Sequence, residues 1–333
     1  MEKINQTQAE ITYRDALNAA LKEEMRRDST IFIMGEGIVK GGIYKVTEGI
    51  LDEFGPRRIL DTPISEASIT GAGMGAALSG CRPVVEIMFI DFFGLIMDQL
   101  VNQAAKFNFM TGGHGGVPMV VRTQGGIGNG LAAQHSQSLE AWVYHSPGLK
   151  LVMPSSPYDA KGLLKASIRD DDPVVFVENK QLYMLKGIVP DGDYTIELGK
   201  GDIKRKGRDV TIIAWSSMVP KSLEAARQLS AMGIEAEVVD PRSLVPLDKA
   251  LILESVRKTE HVVIVQEAVR RGGIASDIAS IIQAEAFDYL DSPIEIIAGK
   301  NIPIPFNINL EKASVPQVPD IVEGAKRAVY TEQ

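Results

Sequence analysis

Two titratable side chains stand where a sheet enzyme would use them. Glu66 lies within Asp61–Leu78, DTPISEASITGAGMGAAL, just after the short apolar pair Ile59 and Leu60. A small-residue helix carrying Gly71, Gly73 and Gly75 follows it. In parallel α/β sheets, ligands bind where loops leave the carboxyl ends of the strands. Glu66 is therefore placed to offer a carboxylate to a ligand. It also reads as an ordinary helix-start residue, because the helix dipole favours negative charge in the first turn. His135 lies in TQGGIGNGLAAQHSQS, residues 123–138, beyond the end of another strand. Long ordered loops in compact domains are usually functional. Histidine is the side chain most easily used for proton transfer near neutral pH. The competing reading is a loop histidine bonded to backbone. His114 reads as a turn residue, and His145 and His261 read as structural.

Other chemistries are excluded by what is missing. Gly71, Gly73 and Ala76 fit a loose G-x-G-x-x-A pattern, but a dinucleotide site needs its glycines in the turn directly after a strand. Ile64, Ser65 and Glu66 intervene here, so the glycines read as a helix kept thin for close approach of another helix or chain. There is no G-x-S-x-G elbow, no H-E-x-x-H helix and no G-x-x-x-x-G-K-[ST] phosphate loop. A net charge of −8 without a basic stripe argues against a nucleic-acid partner. The lone cysteine, Cys81, excludes an internal disulfide and zinc sites built on cysteine pairs. It suits a reducing, cytoplasmic location. The N-terminal stretch is polar and has no signal-peptide core. The most hydrophobic region, 71–100, is broken by Arg82, Pro83, Glu86 and Asp91, so no stretch reaches the roughly 20 clean apolar residues of a membrane helix.

The elements that must position Glu66 and His135 alternate strand with helix. Strands are expected at 30–34, 58–61, 83–89, 117–122, 149–153 and 173–178, with a glycine-rich turn at 35–42 after the first. A long helix over 91–110 is apolar around most of its circumference, which predicts burial on several sides and a subunit interface. This is the pattern of a parallel, doubly wound α/β sheet. At 333 residues the length predicts two domains. They are expected at 1–185 and 209–333, joined by a polar Gly-, Asp- and Lys-rich linker at 186–208. The second carries strands at 210–214, 235–239, 262–265 and 294–297.

Five ordered motifs span nearly the whole chain: DTPISE (61–66), GCRPVVEIMFIDF (80–92), AAQHSQS (132–138), SSPYDAKGLL (155–164) and DPRSLVPLD (240–248). Together they closely resemble the β subunit of the thiamine-diphosphate-dependent first component of 2-oxo acid and acetoin dehydrogenase complexes. The resemblance implies a pyrimidine-binding domain followed by a transketolase C-terminal-like domain. It implies that Glu66 hydrogen-bonds the ring nitrogen of the cofactor's aminopyrimidine and that Met88 and Phe92 line that ring. Phe92 matches the stacking aromatic, although a purely packing phenylalanine is the competing reading. His135 matches the active-site histidine, with a role in proton transfer or in orienting a dihydrolipoyl group. A potassium site in relatives implies backbone ligands at Met119, Ser167, Ile168, Asp170 and Asp172.

Members of that group hold the diphosphate through Mg2+ at a GDG motif, which this chain lacks. Asp191-Gly192-Asp193 sits in the polar linker without a preceding strand. The resemblance thus implies half a site, completed by an α subunit in a two-α, two-β heterotetramer, with acyl transfer to a dihydrolipoyl acyltransferase. Acetoin or pyruvate is the expected substrate. The alternatives are a branched-chain 2-oxo acid and a stand-alone transketolase-like enzyme. A nicotinamide oxidoreductase and a non-catalytic assembly subunit are readings from other classes.

Overall fold

The computed structural model describes residues 8–330. The chain forms two compact units, one of residues 1–124 and 145–198, the other of residues 125–144 and 199–333.

In the first unit, β1 (Gln8–Thr12) pairs antiparallel with β8 (Lys186–Pro190). The main sheet holds β2 (Ile31–Gly35), β3 (Ile59–Asp61), β4 (Arg82–Ile87), β5 (Val120–Gly125), β6 (Lys150–Val152) and β7 (Val174–Asn179), in the order β6-β7-β5-β4-β2-β3. Its ladders are parallel, for example Ile33 opposite Ile59 and Val84 opposite Val120. The inner strands are buried along their length, so their sequences read as continuous apolar runs.

Helix α1 (Tyr13–Arg27) starts at Thr12, whose hydroxyl accepts from the Asp15 amide at 3.1 Å. Its stripe of Tyr13, Leu17, Leu21 and Met25 joins the core, and it packs on α6 (Pro157–Arg169). Ser156 caps α6 through the Asp159 amide. Helices α2 (Ile50–Phe54) and α3 (Glu66–Leu78) are the next two, and α3 packs on β4.

The helix expected over 91–110 is not a single α-helix. It is a 3-10 segment at Ile90–Leu95, a π segment at Asp98–Ala104 and α4 (Ala105–Met110). Phe93, Ile96, Leu100 and Ala104 form one buried stripe, while Leu95, Phe109 and Met110 are exposed. The changes of pitch keep this single stripe turned inward, and the π segment packs on α3. Burial on several sides within the chain is therefore not found.

In the second unit, β9 (Asp202–Arg205), β10 (Val210–Ala214), β11 (Ala236–Asp240), β13 (Val262–Val269) and β14 (Glu295–Gly299) lie in the order β14-β13-β10-β11-β9. All pairs are parallel except β9 with β11. A short strand, β12, covers Ser243–Val245. Alternation along β10 separates its two faces. Val210, Ile212 and Ala214 join the core with α7 (Met218–Ser230) and α11 (Val318–Val329), whereas the Thr211 hydroxyl lies 2.7 Å from Ser255 on α8 (Lys249–Thr259). Helix α9 (Ile274–Ala286) packs on α8 and β13. Helices α5 (Glu140–Tyr144) and α10 (Ile308–Ala313) complete the unit.

The stretch 186–208, expected as a linker, contains β8 and β9. Their half-buried, charge-bearing patterns hide their strand character in the sequence. The segment 125–144, expected inside the first domain, clusters with the second unit.

Candidate active site

In the first unit the chemistry gathers at the carboxyl ends of the parallel strands. Glu36 follows β2, Glu66 follows β3, and Met88 follows β4. The connection from β2 runs to one side and β4 lies on its other side, so these ends flank a topological switch point. Glu66 is the first residue of α3, so the helix-start reading also holds. It is 8% exposed, and its carboxylate makes no hydrogen bond or ion pair among the described residues. Its oxygens are not among the buried unsatisfied atoms, so they stay open to solvent and to a ligand donor. Glu36 is half-buried, and its carboxyl is pushed above the usual range by burial, with the charges of Glu66 and Glu86 adding to it. These three carboxylates form an acidic cluster at the switch point.

The floor beneath is a fully buried ionic group. Arg122, on β5, donates to Glu178 through Nε at 2.6 Å and to Glu86 through Nη1 at 2.8 Å. Tyr183 donates to the other Glu178 oxygen at 2.6 Å. Burial opposes the charge on Arg122, but Glu178 and Glu86 outweigh it and drive its pKa up. The guanidinium is therefore permanent, and it holds Glu86 against the glycine-rich turn. A Cβ at Gly35 would approach the Glu86 carbonyl to 2.9 Å, and Gly42 lies against the Glu86 carboxylate. Tyr44 stacks on Tyr183 at 4.5 Å and meets Phe89 edge-on. The Lys180 ammonium sits 4.7 Å above the Phe89 ring.

Met88 and Phe92 are both half-buried, on either side of Phe89 in the same turn. The fit to an aminopyrimidine is good on this chain's side: a carboxylate with no partner among the described residues, with a thioether and an aromatic ring on the segment after β4, across β2 from β3. Among the described residues no group of three or more His, Cys, Asp or Glu is arranged to hold a metal.

His135 belongs to the second unit and is half-buried. Its amide donates to Ala132 O at 3.4 Å. Glu66, Met88 and Phe92 lie together in the first unit.

The expected potassium ligands also lie in the first unit. Met119 O accepts from the Val174 amide, and Ser167 O from the Asp170 amide. Ile168 O and Asp170 O both accept from Arg82 Nη1, at 3.2 and 2.9 Å. The Asp172 carboxylate lies 3.2 Å from the Lys150 ammonium. Two of the carbonyls thus face one point, beside an arginine.

Glu36, Glu86 and Arg122 were missed in the sequence. The available signal was a charge inside an apolar strand, as in VVEI and VVRT, and a glutamate between Gly35 and Gly37.

Residues 9–186 match the transketolase pyrimidine-binding domain and residues 199–321 the transketolase C-terminal domain. Pyruvate dehydrogenase E1 component subunit beta-2 of Oryza sativa subsp. japonica is 49% identical over 96% of this chain and 87% of its own length. This chain belongs to the E1 β-subunit family. The β subunit of acetoin:2,6-dichlorophenolindophenol oxidoreductase from Bacillus subtilis (strain 168) is 50% identical, over 94% of this chain and 95% of its own. A split-gene transketolase, described as an inactive β4 tetramer, shares the fold with a TM-score of 0.78 at 24% identity, covering 97% of this chain and 99% of its own. The expectations of an α/β, doubly wound sheet and of an E1 β-type chain are thereby met. No helix among the described residues is long and apolar enough to cross a membrane.

Proposed function

We propose that this E1 β-type chain works in a thiamine-diphosphate-dependent dehydrogenase acting on acetoin or pyruvate, passing the acyl group to the lipoamide of a dihydrolipoyl acyltransferase. The observation that carries the reading is Glu66, a carboxylate without a partner among the described residues at the switch point of a chain that aligns almost end to end with pyruvate and acetoin dehydrogenase β subunits. When bound, thiamine diphosphate supplies a nucleophilic carbon for the substrate carbonyl. Glu66 would hydrogen-bond the ring nitrogen of the aminopyrimidine and so control where the ring carries its proton. Met88 and Phe92 would offer it apolar surface. His135 would move a proton or orient the dihydrolipoyl group. The diphosphate and its Mg2+ would fall to an α subunit, in a two-α, two-β assembly. The lone Cys81 suits a reducing cytoplasm.

The test mixes the full-length chain with its α partner, thiamine diphosphate and Mg2+, and follows dye reduction with acetoin, pyruvate and a branched 2-oxo acid in turn. Activity is expected only in the mixture, with one substrate preferred and with Glu66→Gln nearly silent. Turnover by this chain alone would sink the half-site reading.

A potassium ion at the carbonyls of Met119, Ser167, Ile168, Asp170 and Asp172 is part of the proposal. The carbonyls of Met119, Ser167, Ile168 and Asp170 each keep a second lone pair beside their present donor. Melting the full-length chain in potassium chloride against choline chloride checks it: a saturating ion would stabilise by about 2.7 kcal/mol at a hundredfold excess over Kd. Equal melting temperatures would remove the ion.

A further inference from the structure

The loop that carries His135 has an unusual backbone and unusual anchors. Asn129 and Ala132 both adopt left-handed φ values, 66° and 60°. Each costs on the order of 1 kcal/mol or more outside glycine, so the surroundings must hold the loop in place. The anchors are buried carboxylates of the same unit. The Ile127 amide donates to Glu267 Oε1 at 2.6 Å, and the Gly128 amide donates to Glu311 Oε1 at 3.1 Å. Glu267 and Glu311 are each more than nine-tenths buried.

A third buried carboxyl, Glu140, starts helix α5 at the far end of the same loop. The Trp215 indole donates to it, but its Oε2 has no partner. The charge of Glu267 acts on it.

We propose that Glu140 and Glu267 form a proton-operated latch that positions the His135 loop. With Glu140 neutral, the loop is drawn onto the Glu267 and Glu311 acceptors. When Glu140 ionises, two buried carboxylates repel, and the loop with its short helix is the part that can give way.

Several groups face the pair. Glu140 comes from α5 and Glu267 from β13. Ser217, at the start of α7, donates to Glu267. Lys221, on α7, is held by Pro316 O at 2.9 Å and feels the charge of Glu267. Trp215 faces Glu140 from the end of β10.

Burial pushes the Glu140 carboxyl up to about 7, and repulsion by Glu267 adds to it. The sign follows from linkage. The folded, latched state holds the proton that the open or unfolded state has lost, so latching is strongest below the ordinary carboxyl range. It weakens as pH rises to about 7 and changes little above that.

The latch rests on the proposed function only for the role of His135. Its test therefore needs neither substrate nor partner. In full-length chain carrying Trp142→Phe, Trp215 is the sole tryptophan, and its emission reports the state of Glu140. A titration centred near neutrality is expected, absent in Glu140→Gln and moved to lower pH in Glu267→Gln. Amide exchange of residues 125–138, corrected for intrinsic rate, should quicken at least about tenfold as pH rises from the ordinary carboxyl range to about 7 and level off above it, since one pKa unit is a tenfold population change. Glu140→Gln should stay protected at all pH values. A flat Trp215 signal in the parent chain, or the same transition in Glu140→Gln, overturns the latch. A clear latch in a chain that gives no dehydrogenase activity even when mixed with its α partner, thiamine diphosphate and Mg2+ would leave the latch standing and remove the functional reading.

Discussion

At the scale of single residues, Glu66 separates the catalytic reading from the bland one. As a helix-start carboxylate it would contribute a few tenths to about 1 kcal/mol through the dipole, and Gln would be nearly harmless. As the carboxylate that controls a cofactor proton, Glu66→Gln should cost about 10²–10⁴-fold in kcat at unchanged melting temperature. The dye assay and a melting curve on the same preparation distinguish the two. Its chemical identity was readable from DTPISE and from its place after a strand. Its partnerless burial was not, because burial depends on what the sheet and the turn at 35–42 bring over it. Glu86 and Arg122 were harder still: the sequence displays each as a stray charge, and only the parallel register that sets Glu86 opposite Arg122 makes them a pair.

At the scale of elements, α3 shows how one run of small residues serves two purposes. A Cβ at Gly73 would come within 2.5 Å of Val85 on β4, so this glycine lets the helix lie on its own sheet. A Cβ at Gly75 would meet nothing within 4 Å, and at Gly71 only Gln99 at 3.6 Å. Gly73→Ala should therefore destabilise the chain by about 1–3 kcal/mol, the usual cost of overpacking. Gly75→Ala should stabilise it by about 0.5–1 kcal/mol, as alanine does over glycine inside a helix. Gel filtration with the α partner then decides what Gly75 is for. Loss of assembly by this more stable variant would assign the open face to a partner, whereas intact assembly would leave it as solvent-facing. The buried strands and the long amphipathic helices were legible because periodicity is local, whereas β1, β8, β9 and β12 were not. The broken pitch of 90–110 was not legible either, since an apolar stripe of this spacing is compatible with 3-10, π and α pitch alike.

At the scale of the whole molecule, a two-unit chain was legible in length and motif order, but the ownership of 125–144 was not. That segment follows β5 directly in sequence, yet its anchors, Glu267 and Glu311, stand more than a hundred residues later. Long-range pairing of this kind leaves no local trace. The exposed Ile64 (81%) and Phe109 (88%) are likewise readable only in three dimensions. Side chains of that size mark surfaces that bind partners when they cluster.

The placement of 125–144 also means that the backbone passes between the two units three times, at 124/125, 144/145 and 198/199. One cut does not release either unit. A nick in the exposed turn at 191–193 would give two fragments of which the first still carries 125–144, seated among residues of the second. Limited proteolysis there should yield two bands on a denaturing gel and a single peak on a native column. Separate native peaks would show that the seated segment does not hold the pieces together. By the same topology, expressing residues 199–333 alone would leave Glu267 and Glu311 without their amide donors and Trp215 without its carboxyl. Residues 199–333 are therefore not a module to be exchanged at that boundary.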